Sequence, residues 1–232
     1  ALMQRGDVRE AIDVLQVARS LVELPQFSDV ERADVLFRLG CCRYKLSSIA
    51  TAVALLDESL ALAERSGLPS DRLRAQILSW RSRCRRRQRD FEAAREDALL
   101  ALELAQATDD PRVVAGSYFQ ASFVAEKMGH LILARQYAQQ ARAIYAELDD
   151  ERNSGRIMLN LGGLQLLLGK PEQAIEHLNA SFALAVEAGS QPDAAQALGS
   201  LAAVHLQLGD YAAADENARK AHEMASVAHT TG

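Results

Sequence analysis

The chain has 232 residues, is 49% hydrophobic but only 5% aromatic, and carries a formal net charge of −5. That balance excludes a general surface attraction for nucleic acid or anionic membrane, and it supplies too few β-branched or aromatic runs to build sheets. The three cysteines, Cys41, Cys42 and Cys84, are odd in number and irregularly spaced, which excludes a disulfide framework and points to a reducing, cytoplasmic compartment.

The predicted elements are helices, and they come in a ladder. In chain order, helix-like runs end in turns at Gly6-Asp7-Val8, Ser47-Ser48-Ile49, Arg89-Asp90-Phe91, Gly129-His130-Leu131, Gly169-Lys170-Pro171 and Gly209-Asp210-Tyr211. An alanine follows each turn, at Ala11, Ala52, Ala94, Ala134, Ala174 and Ala214, with steps of 41, 42, 40, 40 and 40. Periods of roughly 20–50 residues signal a stacked array of helix pairs. The expected division is a single array with a half repeat at 1–30 and five full repeats at 31–68, 70–109, 111–149, 153–189 and 192–229. The chain begins without Met and only five residues before its first turn, so it reads as starting within a repeat of a longer protein.

Within one repeat, Ile157, Met158, Leu161, Leu164 and Leu168 recur at helical spacing, and Gly162 leaves room for a close neighbour. Pro171 suits the first turn of the next helix, whose inner side is Ala174, Ile175, Leu178 and Phe182. Asp7, Ser48, Asp90 and Asp210 stand where a side-chain oxygen caps a helix N-terminus, and Asp7 with Glu10 fits a capping box.

These residues resemble the tetratricopeptide repeat (TPR). The family pattern of a large residue, Leu-Gly three positions on, a Gly-Asp-aromatic turn, then Ala and a large apolar residue is met by Leu36, Leu39-Gly40, Ala52 and Leu56. It recurs in Met158, Leu161-Gly162, Gly169, Ala174 and Leu178, and in Leu198, Leu201-Ala202, Gly209-Asp210-Tyr211 and Ala214. Arg81-Ser82 and Ala121-Ser122 replace Leu-Gly in the second and third full copies, a departure that bears on how closely those helices pack. The family step is about 34 residues, so this chain is similar to the long-repeat subset found in kinesin light chains, spindle-orientation adaptors and bacterial signalling regulators. The resemblance implies an all-α fold, a right-handed α-solenoid of stacked antiparallel helix pairs with a concave groove.

In that fold the first helix of each pair lines the groove. The implied ligand-binding residues are Arg38, Trp80, Arg83, Arg86, Arg87, Phe119, Gln120, Phe123, Arg156, Leu159, Asn160 and Leu166. Asn160 and Gln120 are amides that donate and accept at once, suited to a peptide backbone, although an exposed Asn without a ligand is an equal reading. Phe119 and Phe123, with Leu159 and Leu166, offer apolar anchors or ordinary packing between repeats. The stretch Arg81 to Arg89 holds six arginines in nine residues. A helix spreads them around its axis, so Arg83, Arg86 and Arg87 fall on the groove side near Trp80. Arg81 and Arg85 turn toward the second helix, where Glu92, Glu96 or Asp97 can pair with them. The carboxylate-clamp set of chaperone-tail binders is incomplete, because Phe37, Cys41 and Trp80 occupy its places.

No glycine-rich phosphate loop, nucleophile elbow or metal-spaced His/Cys cluster appears, so the expectation is a non-enzyme without cofactor or metal. No apolar run reaches the roughly 18–20 residues that span a bilayer. The functional expectation is a protein- or peptide-binding scaffold, the interaction or sensor module of a larger bacterial-type regulator, taking an acidic partner with apolar anchors. The alternative is a homodimerisation module using the ends of the array. A weaker one is nucleic-acid binding through the Arg81–Arg89 run, which predicts strong salt dependence.

Overall fold

The computed structural model describes residues 8–230, and side-chain environments over 8–226. Those residues form helices α1 (Val8–Val22), α2 (Asp29–Lys45), α3 (Ile49–Arg65), α4 (Asp71–Arg87), α5 (Phe91–Gln106), α6 (Pro111–Lys127), α7 (Leu131–Glu147), α8 (Glu151–Leu167), α9 (Pro171–Glu187), α10 (Gln191–Leu208) and α11 (Tyr211–Thr230). The described residues contain helix, turn and coil but no strand. The chain divides into two compact units, Ala1–Val124 and Ala125–Gly232.

Each helix ends for a local reason. The first helix of every full pair stops at a residue in the left-handed region: Ser47 (φ 60°), Arg89 (φ 67°), Gly129 (φ 80°), Gly169 (φ 72°) and Gly209 (φ 77°). The next N–H then closes a Schellman bond onto the last turn, as from Ser48 to the Arg43 carbonyl (2.9 Å), Asp90 to Arg85 (3.0 Å) and Lys170 to Gln165 (2.9 Å). Glycine reaches this φ freely. Ser47 and Arg89 do so against the clash of their own Cβ, at a cost of about 1–2 kcal/mol each.

Two of the following helices, α5 and α11, start on a side-chain cap. Asp90 accepts from the Ala93 N–H (3.2 Å) and Asp210 from that of Ala213 (3.1 Å). Ser48 departs from expectation: its side chain makes no capping bond, and α3 begins on the turn geometry alone. Asp7 and its capping box with Glu10 lie outside the described residues. A capping box instead opens α2, where the Glu31 N–H donates to Ser28 Oγ (3.3 Å) and the Ser28 N–H donates to Glu31 (2.8 Å).

In the first unit α2 packs on α3 and α4 on α5, with α3 against α4; α2 also touches α4 directly. In the second unit α8 pairs with α9 and α10 with α11, α9 lies against α10, and α8 touches α10. First helices of successive pairs therefore share one side in each unit. The trailing alanines Ala52, Ala94, Ala134 and Ala174 are fully buried. At Gly40 an added Cβ would sit 3.0 Å from Leu56 Cγ, and at Gly162 only 2.7 Å from Leu178 Cγ. The Leu-Gly pair thus exists to admit the large residue of the second helix. Ser82 fills the same place in α4, fully buried, and its hydroxyl donates to the Ala94 carbonyl at 2.7 Å. The helix pair stays close because that hydroxyl is satisfied.

Candidate functional site

The shared side of the first unit carries a cleft of about 580 Å³ between α2 and α4. Its walls are Asp34, Phe37, Arg38 and Cys41 from α2 and Arg72, Leu73, Gln76 and Trp80 from α4, with Val30 and Pro69 at one end. These residues fall one helical turn apart along two neighbouring helices, so the periodicity that builds the helices also lines the cleft. Arg38 pairs with Asp34 on its own helix (2.7 Å), and Arg72 reaches Asp110 (2.6 Å). Burial opposes ionisation of Asp110, but Arg72 and the backbone N–H groups of Val113 and Arg112 outweigh it and hold its pKa below the usual carboxylate range. Burial pushes the Cys41 thiol well up and the Cys84 thiol to about 11, which leaves both as protonated packing groups rather than nucleophiles.

Beyond Trp80 the character changes. The Trp80 and Tyr44 rings meet edge to face, 5.6 Å apart at 86°. The Arg83 guanidinium lies 4.7 Å from the Trp80 ring centre and 5.8 Å from that of Tyr44, and Arg87 lies 5.3 Å over Tyr44. Arg86 covers Phe123 at 4.6 Å, and Phe123 in turn stacks on Phe119 at 4.7 Å. Guanidinium and ring alternate, each contact worth about 0.5–1 kcal/mol at an exposed site and more where water is excluded. Gln120 is only 4% exposed, and its Oε1 has no hydrogen-bond partner.

Arg81 and Arg85 turn away, as their helical phase predicts. Arg81 donates to Asp97 through Nε (2.9 Å) and Nη2 (2.6 Å) and reaches Asp57 (2.8 Å), while Arg85 reaches Asp97 at 3.1 Å. Asp97 is 3% exposed. Of the three acids considered from sequence, Asp97 is the partner. Its signal in the sequence is an acid one turn past Ala94, inside a face otherwise made of Ala98, Ala101 and Leu102.

The second unit is built differently. Arg156 pairs with Asp193 (3.2 Å), which also accepts from the Ser190 hydroxyl (2.7 Å). Asn160 is buried rather than exposed, and its Nδ2 donates to Glu126 at 3.3 Å. Leu159 and Leu166 are half-buried against Ala174, Leu178, Leu198, Leu201 and Val204, so packing between repeats engages both. The predicted site residues therefore fall into separate groups. Arg38, Trp80, Arg83 and Arg87 gather around the α2/α4 cleft; Arg86, Phe119, Gln120 and Phe123 lie along α4 and α6; Arg156, Leu159, Asn160 and Leu166 belong to the second unit. Tyr44, Arg72 and Leu73 complete the first group, and only their helical phase marks them in the sequence.

Among the described residues no group of three or more His, Cys, Asp or Glu side chains could hold a metal ion, and no helix is long and apolar enough to cross a membrane.

No curated protein matches the sequence. The family model for the tetratricopeptide repeat matches residues 153–226. Among solved structures, BtubC from P. vanneervenii shares 19% identity over 99% of this chain and 93% of its own, with a TM-score of 0.75. A Rap protein complexed with competence and sporulation factor shares 18% over 97% and 72%, with a TM-score of 0.71. A signal-transduction ATPase from Pyrococcus horikoshii with a tetratricopeptide repeat sensor shares 17% over 96% of this chain and 34% of its own, with a TM-score of 0.70. Residues 153–226 are thus tetratricopeptide repeats, and the chain as a whole has the α-solenoid fold of that family's arrays.

Proposed function

We propose that the chain is a non-enzymatic protein- or peptide-binding scaffold, acting as the interaction or sensor module of a larger cytoplasmic regulator. The observation that carries this reading is the α2/α4 cleft running into the ring–guanidinium cluster of Tyr44, Trp80, Arg83 and Arg87. Arginine's planar fork suits carboxylates, and a half-buried Trp suits an interface anchor. The solved structures of similar fold add a precedent: the Rap protein is complexed with competence and sporulation factor, and the Pyrococcus horikoshii ATPase has a tetratricopeptide repeat sensor. Three buried, unbridged thiols accord with a reducing compartment.

The test is titration calorimetry with an acidic peptide and its neutral amide counterpart. Charge reversal at Arg83 and Arg87 weakens the acidic peptide by about tenfold or more, equivalent to about 1.4 kcal/mol, and leaves the neutral one nearly unchanged. Equal losses for both remove the groove assignment.

A second reading, homodimerisation, rests on a different observation. Val14, Val17 and Leu21 form a stripe on α1 and are 55%, 63% and 53% exposed, an apolar surface of the kind that pairs between copies. Sedimentation velocity across a hundredfold concentration range, with Val17→Glu as control, separates a self-associating chain from a monomeric binder.

A further inference from the structure

Positive charge is spread unevenly along this chain, and its excess lies on α4. Residues 72–89 hold eight of the 26 Lys and Arg and no carboxylate, and residues 35–56 add Arg38, Arg43 and Lys45, again without an acid. Four of the eight are met by carboxylates: Arg72 by Asp110, Arg74 by Asp71 and Glu64, Arg81 by Asp57 and Asp97, and Arg85 by Asp97. Arg43, in the last turn of α2, and Arg87 and Arg89, at the end of α4, form no ion pair among the described residues. These two helix ends are neighbours: α2 touches α4, and the Arg87 guanidinium sits 5.3 Å over the ring of Tyr44, the residue between Arg43 and Lys45. Of the carboxylates that follow, Asp90 caps α5 through the Ala93 N–H (3.2 Å) and Glu92 lies on α5, so this edge keeps an excess of cations. Arg89 also holds φ 67° where Gly129, Gly169 and Gly209 end the corresponding helices. An arginine stands there at a backbone cost of about 1–2 kcal/mol that glycine avoids.

We infer that the edge formed by the C-terminal ends of α2 and α4 binds the phosphate backbone of a single-stranded nucleic acid. This does not rest on the peptide-binding reading, because Arg43 and Arg89 lie outside the cleft. Guanidinium forks suit phosphate oxygens. Along the C-terminal half of α4, Arg83 over Trp80 (4.7 Å), Arg86 over Phe123 (4.6 Å) and Arg87 over Tyr44 (5.3 Å) alternate cationic planes with rings. Such planes stack on unpaired bases. An acidic protein segment has no group that uses them, and a duplex keeps its bases stacked inside. The chain's net charge of −5 repels a polyanion elsewhere on the surface, which confines the contact to this edge.

The test is fluorescence anisotropy of a fluorescein-labelled thymidine dodecamer against the full chain, at salt concentrations from about 50 to 200 mM. Each phosphate neutralised on a single strand contributes about −0.7 to the slope of log K against log salt, so three arginines give about −2, a loss of roughly 16-fold over that range. Arg43→Gln, Arg87→Gln and Arg89→Gln are each expected to make the slope shallower by about 0.7, and the triple variant to lose binding at the lowest salt. A control carrying Arg9→Gln, Arg95→Gln and Arg142→Gln, three exposed positions on α1, α5 and α7, changes net charge equally and is expected to leave the slope unchanged. Circular dichroism checks that each variant keeps its helices, and the salt slope of the unaltered chain is read without any variant. No binding at the lowest salt, a slope near zero, or an equal loss in the control overturns the inference. So does a fluorescein-labelled octaglutamate that binds as tightly as the dodecamer, a result that assigns the edge to an acidic protein segment.

Discussion

In the α8/α9 pair Leu161 and Gly162 face Ala174 and Leu178, and a large residue on the second helix fills the space that glycine leaves. In the α4/α5 pair the corresponding places hold Arg81, Ser82, Ala94 and Ala98. Volume has been exchanged across the interface: Gly with Leu in one pair, Ser with Ala in the other. The leucine of the first helix has become an arginine whose charge is met by buried Asp97. Both solutions give a close pair of helices, one by apolar interlock and the other by hydrogen bonds and ion pairs. The lesson is that the backbone spacing is the constraint, and either chemistry can satisfy it. The polar solution places two further arginines and Trp80 on the cleft side of the same helix, so the unit that packs with charge also carries charge beside the cleft.

The largest expected break in this comparison comes from Asp97→Ala. It takes from Arg85 its carboxylate and leaves Arg81 with Asp57, and removing one partner of a buried ion pair costs about 3–5 kcal/mol, measured as a fall in urea midpoint at unchanged slope. The apolar counterpart is a double-mutant cycle. Leu178→Ala alone costs about 2–5 kcal/mol, and Gly162→Ser alone about 1–3 kcal/mol from overpacking. Together they reproduce the Ser82/Ala98 arrangement, so the double variant is less destabilised than the sum by about 0.5–3 kcal/mol. Additive losses would show that the two pairs are not exchangeable.

A smaller effect sharpens the contrast between turns. Arg89→Gly relieves the left-handed φ that Gly169 and Gly209 adopt without strain, and thermal unfolding is expected to show a gain of about 1 kcal/mol. Gly169→Ala is expected to lose a similar amount. The smallest effect is a pH dependence in the second unit. Burial works against the Asp193 carboxylate, but the Ser190 hydroxyl and Arg156 outweigh it and hold its pKa below the ordinary value. A depressed folded-state pKa contributes stability that is present above the unfolded carboxylate value, near 3.9, and lost as pH falls through the folded one. Asp193→Asn therefore lowers stability at neutral pH and flattens the decline below about pH 4, read from urea midpoints across pH.

Much of this fold is legible in the sequence because it is local. The turn tripeptides and trailing alanines recur about every 40 residues, and each turn carries its own geometry, so helix positions follow from punctuation and period. Ser48 marks the limit: its turn is set by the φ of Ser47, and the serine side chain adds no cap. The candidate site is legible only in part. Helical phase separates Arg83 and Arg87 from Arg81 and Arg85, because phase belongs to one helix. It does not say that Asn160 meets Glu126, or that Leu159 and Leu166 lean on the core of the next repeat.

The sequence by itself determined the all-helical class, the repeat, the turns and that Arg81 and Arg85 turn toward the second helix, since a 3.6-residue period and a few turn residues encode all of these. Only the tertiary structure decided which acid neutralises Arg81 and Arg85, which rings lie under Arg83, Arg86 and Arg87, and that Val30, Leu73 and Trp80 line one cleft. Those outcomes depend on the register and separation of neighbouring helices, which are set by side-chain volumes on both partners at once.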